Sequence, residues 1–121
     1  MKVDLCRTMN WTHLNDMAHL AALDDLSTAR PVLIFKHSTR CSISGAALAR
    51  LERAAGAEQL EPAYFLDLLR RRDISDAIEA RYGIMHASPQ VLVIRGGQCL
   101  YHTSHFGIVF DDVARALERA Q

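Results

Sequence analysis

The chain has 121 residues, half of them hydrophobic and 23% charged, and its 14 basic and 14 acidic side chains cancel. That length closes one hydrophobic core, so residues 1–121 read as a single domain, and the composition excludes a disordered chain. The neutral balance offers nothing to recruit nucleic acid or an anionic membrane, and the longest apolar runs, at residues 32–35 and 91–94, are far too short to span a bilayer.

The N-terminal Met1-Lys2-Val3-Asp4-Leu5-Cys6 lacks the apolar core and cleavage pattern of a signal peptide, which predicts a reducing, cytoplasmic setting. The first dozen residues have no clear period, although Trp11 suits a short first strand. From residue 15 to 29 the pattern is helical, with Leu20 and Leu23 inward and Asp24 and Asp25 outward, and Pro31 bars its continuation. Val32-Leu33-Ile34-Phe35 is a continuous run of β-favouring residues, read as a strand buried on both faces.

His37-Ser38-Thr39-Arg40 then makes a polar turn, with Ser38 or Thr39 available to cap a second helix that starts close to Cys41. Ile43, Ala47, Leu51 and Ala54 recur at helical spacing, and Gly56 suits the terminator. Residues 63–66 are a second short apolar run and the next strand. Asp73 opens a third helix with Ile74, Ala77, Ile78 and Tyr82 on one face, and Gly83 closes it. Beyond Ser88-Pro89, residues 91–94 form another buried strand. Gly96-Gly97 is a hairpin turn that sends residues 98–103 back as an edge strand. Val113, Ala116, Leu117 and Ala120 mark a last helix, with Asp111 and Asp112 at the positive end of its dipole.

Strand–helix–strand units require parallel pairing, and the Gly-Gly hairpin requires antiparallel pairing. The expected architecture is therefore α/β: a mixed central sheet of four to five strands flanked by helices on both faces, the thioredoxin-like arrangement.

Three cysteines at wide spacings make neither a disulfide framework nor a metal knuckle, so each calls for packing or chemistry. No metal is expected. Cys41 stands where a buried strand leaves the sheet and a helix begins. Unpaired amides of the first helical turn favour a thiolate there, and Lys36, His37 and Arg40 add positive charge. The carboxyl edge of an open α/β sheet is also where such folds place their sites. The bland alternative is a buried structural cysteine, a common fate of free thiols.

Cys41-Ser42-Ile43-Ser44 keeps the spacing of a redox Cys-x-x-Cys motif with serine at the second position. The predicted chemistry is monothiol: Cys41 attacks, holds a mixed disulfide, and waits for an external thiol. Ser44 is positioned either to donate a hydrogen bond to the thiolate or to sit as a solvated helix serine. Ser88-Pro89 is the second element. A proline just before this strand of a thioredoxin fold is usually cis and lies opposite the sulfur, where the preceding residue offers backbone groups to a substrate; the alternative is an ordinary trans proline opening a strand. Cys99, on the predicted edge strand, reads as packing, and Cys6 lies near a terminus. His102 and His105 read as surface or capping residues, and Arg70-Arg71-Arg72 as a solvated turn.

The segment Phe35-Lys36-His37-Ser38-Thr39-Arg40-Cys41-Ser42-Ile43-Ser44 resembles the monothiol bacilliredoxin family, and Ser88-Pro89-Gln90-Val91 and His102-Thr103-Ser104-His105-Phe106 resemble its later motifs. The likeness runs from about Trp11 onward. It implies a thioredoxin fold and removal of bacillithiol from protein thiols, with Cys41 as the attacking residue, bacillithiol as the small-thiol co-substrate and bacillithiolated proteins as partners. This chain departs from the family's pattern in carrying Arg40 in place of threonine and Ser42 in place of proline. Arginine suits contact with an acidic thiol cofactor, and loss of the proline relaxes the helix start. Two competing readings of the same residues are a monothiol iron–sulfur cluster carrier, in which Cys41 and an external thiol bridge the cluster, and a non-catalytic interaction module that uses the proline groove.

Overall fold

The computed structural model describes residues 9–121, and Cys6 lies outside them. Five strands form one sheet: β1 (Trp11–His13), β2 (Val32–His37), β3 (Ala63–Asp67), β4 (Gln90–Arg95) and β5 (Gln98–Ser104). Their order is β1-β3-β2-β4-β5, with β2 parallel to β3, β3 parallel to β1, and β4 antiparallel to both β2 and β5. Four α-helices cover it: α1 (Met17–Leu26), α2 (Ser42–Arg53), α3 (Arg72–Tyr82) and α4 (Phe110–Arg119). This is the mixed, doubly covered sheet expected from the sequence.

Strand alternation divides the core between the two faces. Leu33 and Phe35 of β2 point to one side and pack with Ala47 and Leu51 of α2 and Val113 and Leu117 of α4. Val32 and Ile34 point to the other and pack with Leu20 and Leu23 of α1 and Ile74 and Ile78 of α3. All six residues of β2 are buried, so the central strand is fixed from both sides.

The local signals mostly act as expected. The Asp16 side chain caps α1 by accepting the His19 N–H at 2.9 Å. Gly83 ends α3 in the left-handed region at φ 70°, and Gly96 and Gly97 take φ values of 63° and 75°, which a tight hairpin between twisted strands requires. Ser27 ties α1 to that hairpin. Its carbonyl accepts Gly96 N–H at 2.7 Å and Arg95 Nη1 at 3.2 Å, while its hydroxyl donates to Asp24 O and accepts Gly97 N–H.

Some readings are corrected. Asp24 does not face water freely: it is half-buried and accepts the Tyr82 hydroxyl at 2.9 Å, because α1 and α3 pack side by side on one face. Helix α1 ends at Leu26, short of residue 29, as Ser27 turns its polar groups to the hairpin. Strand β2 continues through Lys36 and His37, so the polar turn is shorter than their side chains suggest.

Candidate functional site at the start of helix α2

β2 delivers the chain to the carboxyl edge of the sheet, and a tight turn reverses it into α2. Ser38 O accepts Cys41 N–H at 3.1 Å, and Cys41 O accepts Gly45 N–H at 3.1 Å. Cys41 is thus the residue immediately before the helix, with extended backbone angles of φ −109° and ψ 117°. Neither Ser38 nor Thr39 takes that position. Cys41 makes no side-chain cap hydrogen bond. Cys41 is half-buried and follows the exposed Arg40 in the chain, at the end of the helix where first-turn amides have no acceptor inside the helix.

Ser44 is fully buried, which removes the solvated-serine reading. Its hydroxyl accepts Ser38 N–H at 3.1 Å and lies 2.7 Å from His37 Nδ1. The hydrogen-bond partners seen for Ser44 Oγ are therefore His37 and the turn backbone.

His37 projects on the α2 side, between Phe35 and Phe65. Burial lowers its proton affinity, partly opposed by Asp67 and Glu52, which weakens it as a source of the positive charge expected there. Asp67 stands opposite His37 in the β2–β3 register, and its Oδ1 is buried without a hydrogen-bond partner.

Lys36 is the larger correction. Alternation sends it to the α3 side of the sheet, away from α2, where it is wholly buried and its ammonium has no hydrogen-bond partner. Burial pulls its pKa from 10.5 down to about 8, against the attraction of Glu79 and Asp76. Of the three cationic residues expected to surround the sulfur, Lys36 lies on the other face of the sheet and His37 is buried, which leaves the exposed Arg40.

The Ser88–Pro89 bond is cis. Gln90 pairs with Lys36 across β2 and β4, which sets Pro89 at the same sheet edge from which the Cys41 turn departs. Ser88 Oγ is buried without a partner, and Gln90 Nε2 donates to Met85 O at 3.0 Å, holding the loop before the proline. Pro89 O accepts His105 N–H at 3.1 Å, tying this loop to a short turn at His105–Gly107. Arg50 of α2 fixes that turn from below, donating from Nε to Ile108 O at 3.0 Å and from Nη2 to His105 O at 3.3 Å. Sequence reasoning passed over Arg50 and Asp67, since nothing in local pattern marks a helix arginine or a strand-end aspartate as part of a site.

Cys99 pairs with Ile94, which in turn sits opposite Val32, at the far end of β2 from Cys41. About 13 Å of strand separates Val32 from Lys36, well beyond disulfide reach. The Cys99 thiol donates to Tyr101 O, and burial pushes its pKa up, as befits a packing residue. His102 and His105 are exposed, and it is the His105 backbone that is engaged. Arg71 pairs with Asp73 at 2.9 Å, while Arg70 and Arg72 are exposed. Among the described residues no helix is long and apolar enough to cross a membrane.

The fold is shared with solved thioredoxins. A solved protein with a thioredoxin fold superposes with a TM-score of 0.75 at 24% identity, over 87% of this chain and 91% of that one. Thioredoxin from Malassezia sympodialis gives 0.71 at 15% identity, over 94% and 92%. Thioredoxin from Fasciola hepatica gives 0.67 at 16% identity, over 91% and 99%. Residues 12–113 match the family model described as monothiol bacilliredoxin BrxC. The chain thus belongs to the monothiol bacilliredoxin family, built on the thioredoxin fold and given to thiol redox chemistry.

Proposed function

We propose that the protein removes bacillithiol from mixed disulfides on protein cysteines in a reducing cytoplasm, with Cys41 as the nucleophile. The observation that carries this reading is Cys41 at the mouth of α2, with a buried, hydrogen-bonded serine where a second thiol would stand. The Cys41 thiolate attacks the cofactor-side sulfur. A new disulfide forms between Cys41 and bacillithiol, the old disulfide breaks, and its electron pair leaves on the freed protein thiolate. Among the described residues the other cysteine, Cys99, sits at the far end of the sheet, and in this reading a second bacillithiol takes the adduct from Cys41, yielding bacillithiol disulfide and restoring the thiolate. The exposed Arg40 is suited to the carboxylates of bacillithiol, and Ser88 and Pro89 to the extended substrate chain.

The test is a model protein carrying a single bacillithiol adduct, incubated with wild type or Cys41→Ser in the presence of bacillithiol. Clearance by wild type and none above background by the variant is the expected result. Equal clearance by the two proteins overturns the reading.

A further inference from the structure

We propose that His37 and Ser44 are positioning residues for the Cys41 sulfur, forming a relay in which the protonation of His37 decides where the Ser44 hydrogen points. This rests on Cys41 being the reacting group, and it goes beyond that reading by assigning what sets the sulfur's surroundings.

The argument is an inventory. A serine hydroxyl has one hydrogen and two lone pairs. Ser38 N–H fills one lone pair of Ser44 Oγ at 3.1 Å, and His37 Nδ1 lies 2.7 Å away. A neutral ring carrying its hydrogen on Nε2 can only accept at Nδ1, so the Ser44 hydrogen is committed to it. A protonated ring must donate at Nδ1, which fills the second lone pair and expels the hydrogen toward another acceptor. Ser44 is fully buried, so that acceptor is a protein atom. Ser44 is the third residue of α2 and Cys41 the one before the first, so the two side chains start from the two ends of the helix's first turn. In the relay the acceptor is the Cys41 sulfur in its thiolate form, since hydrogen bonds to charged groups are the stronger ones.

The groups facing His37 come from each neighbouring element. Asp67 of β3 stands beside it with a buried, unpartnered Oδ1, and Glu52 of α2 adds a second carboxylate. His13 of β1 packs on the opposite side of Phe65. Arg40 and Cys41 belong to the turn itself. The carboxylates favour protonation of the ring while burial opposes it.

Two measurements on the full chain test this. The imidazole of His37 is titrated by NMR in wild type, Cys41→Ser, Ser44→Ala and the double variant, alongside the rate of Cys41 alkylation by iodoacetamide against pH. The midpoint of His37 is expected to shift between wild type and Cys41→Ser. That shift is expected to vanish when Ser44 is alanine, and the wild-type rate curve loses its His37 inflection in Ser44→Ala and in His37→Asn. A shift of equal size with and without Ser44 leaves only a through-space charge effect and overturns the relay. A wild-type rate curve without a His37 inflection also overturns it, because the hydrogen has then turned to a backbone carbonyl. Failure of Cys41 to be alkylated in any variant counts instead against Cys41 as the reacting group.

Discussion

Lys36 and His37 are neighbours in β2, yet they lie on opposite faces of the sheet, and burial lowers the proton affinity of both. The pair looks from the sequence like one basic patch. In the fold it becomes two separate polar sites, one under α3 and one behind the Cys41 turn.

The buried ammonium of Lys36 costs stability at neutral pH. A fall in pKa from 10.5 to about 8 corresponds to a penalty on the order of 3 kcal/mol. Lys36→Met keeps most of the stem and removes the charge, so it should raise the unfolding free energy at pH 7 by up to that amount. Below pH 8 the amine is protonated folded and unfolded, and the penalty is complete. Between about 8 and 10.5 the unfolded chain holds the extra proton, so wild type gains stability as pH rises. The gap between variant and wild type should narrow across that window in urea melts. A gap that stays constant from pH 7 to 10 would count against it.

Ser44→Cys should convert the chemistry from monothiol to dithiol. Treated with excess bacillithiol disulfide, wild type should carry a stable adduct on Cys41 in intact-mass spectra. The variant should lose the adduct and end two hydrogens lighter than its reduced form. Loss of the bonds to Ser38 and His37 should also destabilise it by about 1–2 kcal/mol. A persistent adduct on the variant would show that the two positions cannot pair.

Arg50→Met removes both bonds that hold the His105–Gly107 turn to α2. Stability should fall by about 1–2 kcal/mol in denaturant melts. Because that turn hydrogen-bonds Pro89, reaction of Cys41 with a protein-borne mixed disulfide should slow more than reaction with a small disulfide. Equal slowing on both would place the effect in the thiol itself.

Arg95→Met is the matching control at the other end of the sheet. Arg95 donates to Ala120 O at 3.0 Å, Ser27 O at 3.2 Å and Thr28 O at 2.8 Å, joining the ends of α4 and α1. Its loss should cost about 1–3 kcal/mol and leave the alkylation rate of folded Cys41 unchanged. A changed rate would mean that strain travels the length of β2.

Element order, the hairpin and the place of Cys41 were legible because each rests on local chemistry: a continuous apolar run, paired glycines, a polar turn ahead of a helical period. Pro89 was legible through its position ahead of β4. What escaped notice is tertiary. A strand buried on both faces has no polar side to reveal which way Lys36 turns. The His37–Ser44 bond spans a reversal of the chain, so no helical or strand period contains it. Asp24 looked outward because nothing near it in sequence announces Tyr82, 58 residues away.

Ser27 has a consequence for how the molecule opens. With its carbonyl and its hydroxyl both engaged by residues 95–97, α1 cannot lift from the sheet without releasing the β4–β5 hairpin. The hairpin is an edge by topology, where amide hydrogens ordinarily exchange fastest, yet here its tip should exchange with solvent at the pace of α1. The two segments form one cooperative opening unit, distinct from the β2–α2 junction that carries the thiol.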